Sequence, residues 1–132
     1  MEKMFYENKS AYGFDDTISR LSDIIVKSGW KVSYIHDLQD TMRKNGVEVA
    51  SVKVIELCNP NYSYRILSDD TLRIYSNMLP CRISVYEKAD GKTYVSRMNF
   101  ALMAAQIGGI VQEVMSVAYH DVEGYIEQII EK

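Results

Sequence analysis

Apolar residues recur along this chain in two rhythms, one helical and one extended, and the switches between them mark out its elements. Met4 to Glu7 is short, partly aromatic and strand-like. Ile18, Leu21, Ile24 and Ile25 then repeat at helical spacing. Asp15-Asp16-Thr17 precedes them, and either aspartate can cap the free N–H groups of a helix start. Gly29 closes that helix, because glycine accepts the left-handed conformation past a helix end. Trp30 to Tyr34 alternates apolar and polar, as a half-buried strand does. Asp37 to Lys44 carries only Leu38 and Met42 as large apolar residues and predicts a short exposed helix ending at Asn45-Gly46.

The valine-rich stretch Val47 to Leu57 predicts another strand. At Asn59-Pro60 the rhythm changes: Asn is a strong N-cap and Pro is favoured at the first helical position. A helix from Pro60 to Leu67 follows, with Tyr64 and Leu67 on one side. Pro80 to Tyr86 alternates clearly, Ala89-Asp90-Gly91-Lys92 supplies a hairpin turn, and Thr93 to Met98 returns antiparallel. The last third is helical. Phe100 to Gln106 forms a short helix, and Gly108-Gly109 divides it from a longer one. Ile107, Ile110, Val111, Val114, Ala118, Tyr125, Ile126 and Ile129 form an amphipathic stripe along this helical third. The sum is an α+β architecture: a mostly antiparallel sheet packed against a long C-terminal helix and an N-terminal helix.

Composition narrows the class. The 132 residues read as a single domain, residues 1–132, and a chain of this size buries roughly two-thirds of its unfolded surface. With 47% apolar and 25% charged residues it resembles an ordinary globular protein. A net charge of −3 carries no nucleic-acid footprint. No stretch approaches the ~20 apolar residues that cross a bilayer, and the first residues lack the apolar run of a signal peptide. These features predict a cytoplasmic protein, where thiols stay reduced.

The two cysteines are the chemistry-bearing positions, and each lies near a proline: Cys58-Asn59-Pro60 and Pro80-Cys81-Arg82. Both motifs fall where a strand meets a loop, the usual place for a site on a rigid scaffold. Cys58 precedes a helix cap, where a helix N-terminus favours thiolate. Cys81 shares a strand face with Ile83 and Val85, the inward face, where a thiol is inert. Arg82 points the other way, free to bind an anion or to join an exposed salt bridge.

Those same residues carry a family resemblance. The early helix ending in Gly29-Trp30, then Ile35-His36-Asp37, Cys58-Asn59-Pro60, Pro80-Cys81-Arg82-Ile83-Ser84-Val85-Tyr86-Glu87 and the Asp90-Gly91-Lys92 turn resemble the domain-of-unknown-function family 302. Val117-Ala118 and Tyr125 in the last helix fit as well. Where the family usually has a proline after a strand, this chain has Ser96-Arg97-Met98-Asn99-Phe100. The resemblance covers roughly residues 4 to 130. It implies an α+β fold like that of the TATA-binding protein and a tendency to form homodimers. It implies no activity, and fold alone supplies none.

Other constellations are bland. Zinc-type Cys-x-x-Cys pairs are absent. Two thiols with Met78 or Met98 would suit Cu(I), against the ordinary use of methionine as a core filler; no cofactor, haem included, is assigned. His36 is followed by Asp37, and neighbours on a strand point to opposite faces. His120 lies on the wet side of the last helix, as do Glu113, Glu123, Glu127 and Glu131. Ten tyrosines suit a dimer surface or a pocket wall. The expectation is a homodimeric module that binds a small ligand between sheet and long helix, using Cys58, Asn59, Pro60, Pro80, Cys81 and Arg82. A thiol-dependent enzyme or redox sensor using Cys58, and a purely structural dimer module, stand as alternatives.

Overall fold

Five strands and five helices are present in a computed structural model, which describes residues 3–132. In chain order they are β1 (Phe5–Lys9), α1 (Phe14–Lys27), β2 (Lys31–Asp37), α2 (Leu38–Lys44), β3 (Val52–Cys58) and α3 (Pro60–Leu67). A 3-10 helix (Arg73–Met78) leads to β4 (Cys81–Glu87), β5 (Thr93–Met98), α4 (Phe100–Ile107) and α5 (Gly109–Glu127). The strands form one sheet in the order β1-β5-β4-β3-β2, and every neighbouring pair is antiparallel. The α+β architecture read from the periodicity is therefore the observed one.

One face of the sheet packs on the helices. Ile55 and Leu57 of β3, Ile83 and Val85 of β4 and Val95 of β5 are fully buried there. Leu21 and Ile25 of α1 and Val114, Met115, Val122 and Ile126 of α5 cover them. Alternation sends Val54, Arg82, Ser84, Ser96 and Met98 to the opposite face, which no long helix covers. Arg97 is the exception among the buried positions, because it is charged and only 8% exposed. Its guanidinium donates to both carboxylate oxygens of Glu123 on α5, at 2.7 Å each, and to Asn8 Oδ1 at 2.6 Å. Glu123, expected on the wet face of the last helix, instead neutralises this cation.

Several local expectations needed correction. Helix α1 starts one residue before Asp15, with Gly13 at the cap and no side-chain cap bond. Asp15 and Asp16 sit in its first turn, where they favour the helix dipole. Residues 47 to 51 are loop, so β3 is shorter than the valine run. In β2 the register shifts between Val32 and Tyr34. That bulge inverts the alternation, so Tyr34 is 61% exposed on the open face although Trp30 is buried. On α3 the buried residues are Ser63 and Ile66, while Tyr64 and Leu67 face solvent. On α5 Ile110 is exposed, while Met115 and Val122, outside the expected stripe, lie in the core. The 3-10 helix has no apolar period to announce it.

Candidate functional site

The two cysteine motifs meet at one end of the sheet. Antiparallel pairing of β3 with β4 sets Leu57 opposite Cys81, which makes Cys58 the diagonal neighbour of Cys81. Cys58 is half-buried, and its Sγ lies 3.3 Å from Ser63 Oγ in the first turn of α3. Asn59 caps that helix through Oδ1, which accepts from the Asn61 N–H at 3.0 Å. Pro60 occupies the first helical turn. Both residues thus act as the helix-start device that their chemistry predicted. Cys81 is 6% exposed, and burial, with the nearby Cys58 adding to it, pushes its thiol up to about 12.

Between this end of the sheet and α5 there is almost no room. Cys58, Asn59, Pro80 and Cys81 line a cavity of about 10 Å³, closed by Trp30, Tyr62 and Met115. That is the space of a single water at most. Trp30 fills the region, with Tyr62 and Tyr125 edge-on to its ring at 5.8 and 5.9 Å. A ligand pocket enclosed by sheet and long helix, as expected, is not what the packing leaves.

A larger cleft opens on the other face of the sheet. Its volume is about 340 Å³, within the range of small-molecule sites. The sheet supplies its floor through Val54, Ser84, Ser96 and Met98, and Phe5 of β1 extends it. Met78 at the end of the 3-10 helix, together with Phe100 and Met103 of α4, forms the opposing wall. Pro80, Cys81 and Arg82 lie along it, so three of the six expected residues line this space. Pro60 lines neither cavity.

The charges of the cleft are unequal. Arg82 and Arg97 line it, but Arg97 is already held by Glu123. Arg82 is exposed and makes no ion pair among the described residues, so of its two expected roles the exposed salt bridge is not formed. Its cross-strand neighbour is Glu56, whose carboxylate is engaged by His36 Nε2 instead. His36 is thus joined to a carboxylate across the strands, not to the adjacent Asp37, which caps α2 by accepting from the Asp40 N–H at 2.9 Å. His120 is exposed on α5.

Met78, Met98 and Met103 line this cleft with Cys81, whereas Cys58 lines the small cavity and not the cleft. The two thiols therefore do not share one cavity with Met78 or Met98. Among the described residues, no three His, Cys, Asp or Glu side chains converge as a metal-ligand set. Phe5, Phe100 and Met103 went unnoticed as site residues, because only the strand order brings the two chain regions together.

The family model described as "Domain of unknown function DUF302" matches residues 6–132. Among solved structures, the chain is similar to an uncharacterized conserved DUF302 protein from Bacillus stearothermophilus. The TM-score is 0.84 at 19% identity, covering 97% of this chain and 99% of the other. A comparison with curated proteins finds no match.

Proposed function

The chain belongs to the DUF302 family, and from that premise we propose that it is a one-domain, homodimeric binding module that takes a small molecule in the open-face cleft. The observation that supports this reading is the cleft itself. About 340 Å³ is bounded by rigid strands on one side and by adaptable methionine and phenylalanine side chains on the other. Pro80, Cys81 and Arg82 belong to this site. Cys58, Asn59 and Pro60 act behind it, by ending β3 and starting α3 so that β4 enters the sheet beside them.

The homodimer reading is supported by the exposed apolar side chains of the same face, Phe5 and Tyr34, each 61% exposed. The cytoplasmic reading is supported by two free thiols, which a reducing compartment preserves. Among the described residues, no helix is long and apolar enough to cross a membrane.

Titrating isotope-labelled protein with indole and 2-naphthol tests the cleft. Backbone amide shifts at Ser84, Ser96, Met98 and Met103, with little change at Ser63 or Met115, are expected. Unmoved cleft amides at millimolar fragment would refute the binding reading. Light scattering coupled to gel filtration reads the oligomer; a mass near the 15.2 kDa of one chain would refute the dimer.

A further inference from the structure

Among the described residues, one charged group of the cleft makes no ion pair, and that asymmetry narrows what fits. Its apolar lining comprises Phe5, Val54, Met78, Met98, Phe100 and Met103. Among the described residues, its charged lining is Arg82 and Arg97. Arg97 is neutralised by a two-bond pair with Glu123. The carboxylate opposite Arg82 in register, Glu56, is drawn to His36. Among the described residues Arg82 therefore makes no ion pair, and it presents its guanidinium at the wall of a mostly apolar space, with the partly buried hydroxyls of Ser84 and Ser96 nearby on the floor.

Resting on the binding reading above, we infer that the cleft takes a singly charged anionic amphiphile. Its anionic head is a carboxylate or similar group held by Arg82, and its apolar body is of acyl or aryl type, lying against the methionines and Phe5. Three features of the lining argue for this class. A guanidinium donates two parallel hydrogen bonds to a carboxylate, which fixes the head. A guanidinium that makes no ion pair among the described residues suits one negative charge and opposes a cationic head. A volume of about 340 Å³, equal to roughly eleven waters at the liquid density, admits a body of medium-chain or two-ring size and excludes a full-length diacyl lipid. Arg82 is exposed and makes no ion pair among the described residues, so its removal is expected to leave the fold intact, and its effect on binding can be read separately from stability.

The test compares three sub-micellar probes of equal chain length: decanoate, 1-decanol and decyltrimethylammonium. 1-Naphthoate and 2-naphthol form a parallel aryl pair. Decanoate is expected to bind about tenfold or more tightly than decanol, and decyltrimethylammonium more weakly than either, with cleft amide shifts throughout. Arg82→Gln should remove the advantage of decanoate over decanol and leave decanol unchanged, and Arg82→Lys should restore part of it. The naphthoate arm tells an aryl body from an acyl one. Equal binding of all three head groups at the cleft, or an undiminished decanoate preference in Arg82→Gln, overturns the anion assignment and leaves the cleft standing as a binding site. If neither the decyl probes nor the neutral aryl probe moves the cleft amides, the binding reading itself is what fails.

Discussion

Arg97 on β5 and Glu123 on α5 meet through two parallel hydrogen bonds of 2.7 Å, and they tie the helical layer to the sheet. Arg97 is 8% exposed, so its charge stays inside only because the carboxylate does. Glu123→Ala should lower the unfolding free energy by about 3 kcal/mol, since breaking such a pair strands a buried charge. Replacing both partners, with Arg97→Met and Glu123→Leu, should recover most of that loss. Urea unfolding of the two variants decides this, and a single-variant loss below about 1 kcal/mol would show that the pair does not hold the layers together.

Cys81 should make the protein less stable in strong alkali. Its thiol is held protonated up to about 12, against an ordinary value of 9.0. Below 9 both folded and unfolded chains keep the proton, so this group adds no pH dependence. Between 9 and 12 the unfolded chain loses the proton and the folded chain keeps it, so stability falls as pH rises, by up to ~1.4 kcal/mol per pH unit. Tyr62, Tyr86, Tyr94 and Tyr125 are also raised, and they slope the same way. Cys81→Ala should therefore flatten, but not abolish, the alkaline decline measured by unfolding at pH 8 to 11.

The same burial separates the two thiols in reactivity. At pH 8 a maleimide should label Cys58, which is partly open, well before Cys81. Peptide mapping of singly labelled protein is the readout. Labelling of Cys81 first would contradict the packing around it.

Asn59 caps α3 through a single side-chain bond. Its replacement by Ala should cost ~1 kcal/mol, seen as a lower thermal midpoint. Because α3 holds Ser63 against Cys58, the same variant should also speed maleimide labelling of Cys58. An unchanged midpoint would mean that Pro60 alone secures the helix start.

Arg82→Gln is the matching control on stability. An exposed side chain without an ion pair among the described residues should change the unfolding free energy by less than about 0.5 kcal/mol. A larger loss in chemical denaturation would place Arg82 in the framework rather than in the cleft.

Where local chemistry is strong, the sequence alone determined the elements of this protein. Asn59-Pro60 starts α3 at the expected residue, and Asp90-Gly91 turns β4 into β5 with Gly91 at a φ of 75°. The alternation of Cys81, Ile83 and Val85 chose the inward face of β4 correctly, because such signals act between residues a few positions apart. The α+β class and the family resemblance follow from the same local patterns.

The tertiary structure decided what depends on distant partners. The bulge in β2 turned Tyr34 outward because pairing with β3, not the period of β2, sets its register. Glu123 looked like a solvated helix residue until the sheet order brought Arg97 beneath it. The cleft has no signature along the chain, since its walls come from Phe5, β3 to β5, the 3-10 helix and α4. The cysteine motifs were readable as strand and helix ends. That only Pro80, Cys81 and Arg82 of their six residues border the open space was settled by packing, because Trp30, Tyr62 and Met115 fill the volume on the other side.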